Sequence, residues 1–306
     1  MRYIVSGYIG FDNFGDEAIA SSLVQKLKQE GAEAITLISS NPKKTSDLYN
    51  VNSCGMYNFL PHIFKSDVLI SGGGSLLQDV TSFKSLLYYL AIIYSALFLG
   101  KKVEIFAQGI GPINSKIGQW LTKNALRHAS KITVRDIKSQ ELLKTWNVAS
   151  ELVQDPVLTL DLPKIEKKGI VGIQLRRFQR VNEKFLEKLA DLVKNKFSDK
   201  KIEVISLQDS MDLDVCNNFA DILQTKGLQD VCVKKELNIN EAIETISSLE
   251  YLIAMRFHAN VIGIKAGVKT LAINYDPKVQ TLAENYNLPL INFDDEDFTE
   301  KFDELL

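Results

Sequence analysis

The sequence predicts an α/β protein of two doubly wound domains facing a ligand cleft, and three observations lead there. Short apolar runs alternate with longer stretches of helical period from end to end. Glycine clusters and lone cationic residues fall where the apolar runs stop. The alternation breaks once, at Leu160–Gly169, where Pro163 sits among charged residues. Strand–helix alternation implies parallel sheets covered on both faces. The single break divides the chain into domains 1–163 and 164–306, and 306 residues suit two domains of roughly 100–200 each.

In the first half RYIVSGY reads as a strand and DEAIASSLVQKLKQEG as a helix stopped by Gly31. AITLISS is a strand, and a loop leads to the strand DVLISGGGS. An apolar helix follows, then the strand KVEIFAQGIG, the helix IGQWLTKNALRHAS, the strand KITVRD and the helix SQELLKTWN. A short run, ELVQDPVLTL, closes this half. The second half reads GIVGIQLRR, IEVISLQD, DVCVKKE, YLIAMRF and VKTLAINYD as strands. Between the first four lie the helices NEKFLEKLADLVKNKF, LDVCNNFADILQTKG and NEAIETISSLE. FTEKFDELL is a last helix, with the option of packing back on the first domain.

Composition narrows the function classes. A net charge of −2 and the lack of a Lys/Arg run exclude a nucleic-acid binder as the first reading. Cys54, Cys216 and Cys232 are distant and form no C-x-x-C pair, so neither a disulfide framework nor a zinc site is expected, and a reducing cytoplasm fits. MRYIVSGYIG enters a strand directly, without the pattern of a cleavable leader. No metal or cofactor set is present: H-E-x-x-H, G-K-[ST] and G-x-S-x-G are all missing. The segment Ser85–Gly100 carries no charge and is bracketed by Lys84 and Lys101–Lys102. At 16 residues it is shorter than the roughly 20 a spanning helix needs. It reads as a buried helix, and is also compatible with peripheral contact between 85–100 and a bilayer.

Candidate site residues fall at strand ends, where loops and helix N-termini form a crevice. GYIGFDNFGDEAI offers Asp12, Asn13, Gly15 and Asp16 in a loop that is either a capped turn or a carbohydrate contact; its spacing is not that of a dinucleotide fingerprint. Gly72, Gly73 and Gly74 place three backbone N–H groups after a strand, more than a turn requires. AQGIGP adds Gln108 as a hydroxyl reader. Arg135 ends the strand in VRD, and Arg176 or Arg177 takes the equivalent place in the second half; a planar guanidinium suits a carboxylate or phosphate. Arg256 and His258 in MRFHAN stand at a strand-to-helix junction, and Lys278 follows the turn Asp276–Pro277. His258 is the natural acid or base at neutral pH, whereas His128 reads as a helix-surface residue. Together Arg135, Arg256, His258 and Lys278 suggest a cationic pocket for a small anionic donor.

The ordered set GYIGFDNFGDEAI, LISGGGSLLQD, QGIGP, VRD with Ser139, QDP at Gln154–Pro156, MRFHANVIGIKAGV and NYDPKV resembles the polysaccharide pyruvyl transferases, cell-wall enzymes among them. The resemblance implies two Rossmann-like domains in a GT-B-like arrangement, with the acceptor on the first domain and the donor on the second. It implies phosphoenolpyruvate as co-substrate, no cofactor, and a lipid-linked or polymeric saccharide acceptor. It also implies a cytoplasmic enzyme working at the inner face of the membrane. Arg135 and Lys278 would hold the donor and His258 would be the acid/base. Where related sequences carry an arginine followed by Pro-Trp, this one has Arg176–Arg177–Phe178, which leaves that donor contact open. A GT-B glycosyltransferase using a nucleotide sugar and a non-catalytic saccharide-binding protein are the alternatives. Neither acceptor identity nor oligomeric state is fixed by the sequence.

Overall fold

Near-continuous apolar runs, such as VLISG at Val68–Gly72, are buried at every position, as strands covered on both faces must be. The computed structural model describes all 306 residues, in two units, Met1–Asp161 and Leu162–Leu306. The first contains β1 (Arg2–Ser6), α1 (Phe14–Gln29), β2 (Ala34–Ser39), α2 (Pro42–Tyr49), β3 (Asn52–Gly55), α3 (Leu60–Lys65) and β4 (Val68–Gly72). It continues with α4 (Phe83–Phe98), β5 (Lys102–Gln108), α5 (Lys116–Arg127), β6 (Lys131–Val134), α6 (Ile137–Thr145) and β7 (Glu151–Leu152). Its strands lie in the order β3-β2-β1-β4-β5-β6-β7, every pair parallel.

The second unit holds β8 (Val171–Gln174), α7 (Glu183–Phe197), β9 (Ile202–Ile205), α8 (Asp209–Thr225), β10 (Val231–Lys234) and α9 (Ile239–Ser247). After these come β11 (Tyr251–Ala254), α10 (Phe257–Lys265), β12 (Lys269–Ile273), α11 (Pro277–Tyr286), β13 (Leu290–Ile291) and α12 (Thr299–Leu305). The order is β10-β9-β8-β11-β12-β13, again all parallel. Each sheet therefore reverses direction once, between β1 and β4 and between β8 and β11. Such switch points are where doubly wound sheets leave a crevice at the strand C-termini.

One correction follows. The segment between β2 and β4, read from sequence as a loop, holds α2, β3 and α3. Asn41 caps α2 by accepting from Lys44 N–H, and Pro42 fits its first turn, while NSCG is a polar strand with little periodic signal. In the closing helix α12, Phe302 and Leu305 sit in the second unit's own core beside Phe197 and Phe298. That core is sealed by α7, whose Phe185, Leu186, Leu189, Val193 and Phe197 share one face. Truncating Phe197, which has no solvent exposure, to Ala should cost about 3–5 kcal/mol.

Candidate active site

The first unit presents loops after β1, β4, β5 and β6. After β1, Asn13 caps α1, its Oδ1 accepting from Gly15 N–H at 3.0 Å and Asp16 N–H at 3.4 Å. Gly10 has φ +83°, and a Cβ there would lie 2.2 Å from Ser39 Oγ, so the loop closes only on glycine. Behind the loop Glu17 is buried. Its Oε1 accepts from Gly10 N–H at 2.7 Å, and Oε2 takes a short bond from Tyr49 Oη. Burial pushes the Glu17 carboxyl above its ordinary value, opposed by these two donors; burial and the adjacent Glu17 push Tyr49 well up. Asp12 adopts φ +56° and pairs with Lys44 at 2.6 Å, on the surface. Tyr8 and Phe11 stack at 4.1 Å on the same loop, half exposed. A small pocket lined by Gly7, Tyr8, Asp16, Gly72 and Gly73 lies at this switch point.

After β4, packing accounts for part of the triple glycine. Gly73 has φ +41°, and a Cβ would stand 1.9 Å from Ile19 Cγ2, so α1 presses directly on this backbone. At Gly74 the Asp16 carboxylate approaches to 2.7 Å of the Cβ position. Gln108 is not displayed as a reader of hydroxyls. A bulge between Ile105 and Gln108 turns its side chain fully inside, where Nε2 donates to Ser71 Oγ at 3.4 Å. At the end of β6, Arg135 Nη1 donates to Asp155 at 3.0 Å and Nη2 to Ser75 at 3.4 Å. Its Nε is buried with no partner. Asp155 Oδ1 accepts in turn from Val157 N–H at 3.0 Å, fixing the carboxylate. Asp136 caps α6 through Ser139.

The second unit presents the ends of β8, β11 and β12. Arg176 lies over the Tyr275 ring at 4.9 Å, with a buried, unpartnered Nε. Arg177 instead turns to the surface and pairs with Asp214. The two arginines left open by sequence are thereby separated: Arg176 belongs to the strand-end cluster. Arg256 is nearly buried, and its fork is occupied. Nε and Nη2 reach the two Asp212 oxygens, both at 2.7 Å, and Nη2 also meets Gln208 at 3.0 Å. Its backbone N–H donates to Gln174 Oε1 at 2.8 Å, locking β11 to β8. Arg256 also opens α10, which has no side-chain cap. His258 stands in the first turn of that helix, half-buried, with Phe257 edge-on at 5.1 Å. By contrast Asp276 caps α11, accepting from Lys278 N–H at 2.9 Å, and Lys278 is exposed in its first turn.

The four cations grouped from sequence are therefore distributed. Arg135 belongs to the first unit, and the other three to the second. Arg135 and Arg256 each carry a carboxylate partner. Ser75, Asp155, Asp212 and Tyr275 were not singled out as site residues. Asp155 stood in QDP and Ser75 followed the three glycines, so both had a local signal; Asp212, a lone carboxylate on an amphipathic helix, had none.

Two parallel-sheet α/β domains, each dressing its strand ends with polar and charged side chains, make a GT-B-like fold. Solved structures agree on the fold. UDP-GlcNAc 2-epimerase from Methanocaldococcus jannaschii superposes with TM-score 0.65 at 12% identity, over 100% of this chain and 91% of that one. The Neisseria meningitidis UDP-GlcNAc 2-epimerase bound to UDP-GlcNAc gives 0.64 at 9%, over 100% and 91%. E. coli ADP-heptose LPS heptosyltransferase II gives 0.59 at 12%, over 100% and 98%. No curated protein sequence matches this chain. The profile of the polysaccharide pyruvyl transferase family matches residues 13–277, and the chain belongs to that family. It is a pyruvyltransferase acting on a polysaccharide.

Proposed function

We propose that the enzyme moves the pyruvyl group of phosphoenolpyruvate onto a sugar of a polyprenyl-linked cell-wall saccharide precursor, in the cytoplasm. This reading follows the motif resemblance to the cell-wall pyruvyltransferase CsaB. The observation that carries it is the second unit's strand-end chemistry: Arg176 with an unused Nε, His258 and Lys278, around an α10 that begins without a side-chain cap. An uncapped helix N-terminus and a guanidinium favour an anion with several charged oxygens.

Ketal formation requires a proton on C3 of the enol, which becomes the methyl group. One sugar hydroxyl bonds to C2, the C2–O bond to phosphate breaks, and a second hydroxyl bonds to C2. The two hydroxyl protons balance the one on carbon and one released with phosphate. His258 serves as proton donor and acceptor, while Lys278 and Arg176 stabilise carboxylate and departing phosphate. Arg256 acts as a positioning residue through its pair with Asp212. In the first unit Asp12, Asp16 and the loop around Gly72–Gly74 offer acceptors and donors for sugar hydroxyls. Titration calorimetry tests the donor assignment. Phosphoenolpyruvate binding that weakens in Lys278→Ala and Arg176→Ala supports it; tight binding of UDP with none of phosphoenolpyruvate would instead favour a nucleotide-sugar enzyme.

A further inference from the structure

The charge-free run 85–100 is largely explained by the core, since Leu86, Tyr89, Leu90, Ile92, Ile93 and Ala96 of α4 are buried. What the core does not explain lies on the outside of the same helical layer. α4 packs between α3 and α5, and the inner faces of all three cover one hydrophobic cluster. Their outer faces expose Leu60, Phe64, Leu87, Phe98, Ile117 and Trp120; Phe98 is 92% exposed, Phe64 70% and Trp120 66%. Segments 57–66, 80–102 and 113–131, which build this layer, carry nine of the chain's 17 large exposed apolar side chains, against three in the whole second unit. The same segments hold eight Lys and Arg and no Asp or Glu, in a protein of net charge −2. Lys101 lies over the Phe64 ring at 5.7 Å, an apolar surface and a cation placed together.

We infer that the α3–α4–α5 face docks on an anionic lipid bilayer. Aromatic and aliphatic side chains enter the headgroup boundary while lysines reach the lipid phosphates. Two physical points favour a bilayer over protein. Lysine is depleted in protein–protein interfaces, yet it is the dominant charge here. A second copy meeting the same patch about a twofold axis would bring eight cations against eight. No helix is long and apolar enough to cross a membrane, so the contact is peripheral. The inference rests on surface chemistry and stands apart from the donor assignment.

Trp120 is its own reporter, because the other tryptophan, Trp146, is buried. Its fluorescence is followed with vesicles of phosphatidylcholine alone, and with one third phosphatidylglycerol, each made with brominated chains. The expected result is quenching by the anionic vesicles at low salt, absent in Trp120→Phe, weak with the neutral vesicles and relieved by salt. Replacing Lys65, Lys84, Lys102 and Lys116 by Gln removes cations that form no ion pair in the structure; partitioning should fall on the order of a thousandfold with thermal melting unchanged. Absence of quenching with either lipid overturns the inference. So does a Trp120 shift that depends on protein concentration without lipid, which would make the face an interface between copies.

Discussion

The two units share a strand plan and differ in what they place at the strand ends. In the first, the helices after β1 and β6 are closed by Asn13 and Asp136, the loop carries Asp12 and Asp16, and Arg135 is held by Asp155. In the second, α11 is capped by Asp276 but α10 begins without a side-chain cap, Arg176 lies over Tyr275 with its Nε unpartnered as that of Arg135 is, and Lys278 stands exposed. Topology positions the strand ends alike in both units, and the capping and pairing residues decide which polar groups stand there. Under the proposed function the first unit would meet sugar hydroxyls and the second the anionic donor.

The largest expected effect is at His258. His258→Ala should lower the turnover of pyruvyl transfer by about 10²–10⁴-fold with the fold intact; a near-normal rate, measured beside circular dichroism, would remove it from the chemistry. Asp212→Ala should act on stability instead. It strands a nearly buried Arg256, and urea unfolding should show a loss of about 3–5 kcal/mol. Should Asp212→Ala weaken the donor while leaving the urea midpoint in place, Arg256 would be a ligand contact after all. Lys278→Ala should raise the apparent KM for phosphoenolpyruvate on the order of ten- to hundredfold, the worth of one charge-assisted bond.

In the first unit, Gly73→Ala should cost about 1–3 kcal/mol through the clash with Ile19, with part recovered in Gly73→Ala/Ile19→Ala. Recovery of stability without recovery of activity would show that the glycine serves a ligand as well as packing. The smallest effect concerns Glu17. Burial raises its folded pKa, so the native state holds its proton more tightly than the unfolded chain. Stability relative to Glu17→Gln should therefore decline as pH rises above the ordinary value of 4.5 and through the raised one. Melting temperatures of both proteins across that range check the sign.

Much of the fold was legible because buried strands here are continuous apolar runs and glycines mark their ends. The polar strand β3 and the two-residue β7 and β13 were not, since so short or polar a segment has no period to detect. At the candidate site, His258, Arg135 and Lys278 were visible as charges at strand ends. Their partners were less so. Asp212 lies 44 residues before Arg256, and only the folded sheet brings the two together. Gln108 is buried beside a register shift between Ile105 and Gln108, an irregularity that strand alternation cannot register.

The proposed function assigns acceptor-dependent pyruvyl transfer from phosphoenolpyruvate to the strand ends of the second unit. The most direct test is phosphate release from phosphoenolpyruvate with and without a lipid-linked saccharide or soluble mimic, in wild type and His258→Ala. The expected result is release that requires the acceptor and collapses in the variant, while donor binding persists. Acceptor-dependent release that is undiminished in His258→Ala would contradict it, as would the absence of release alongside protection of the wild type by a nucleotide sugar.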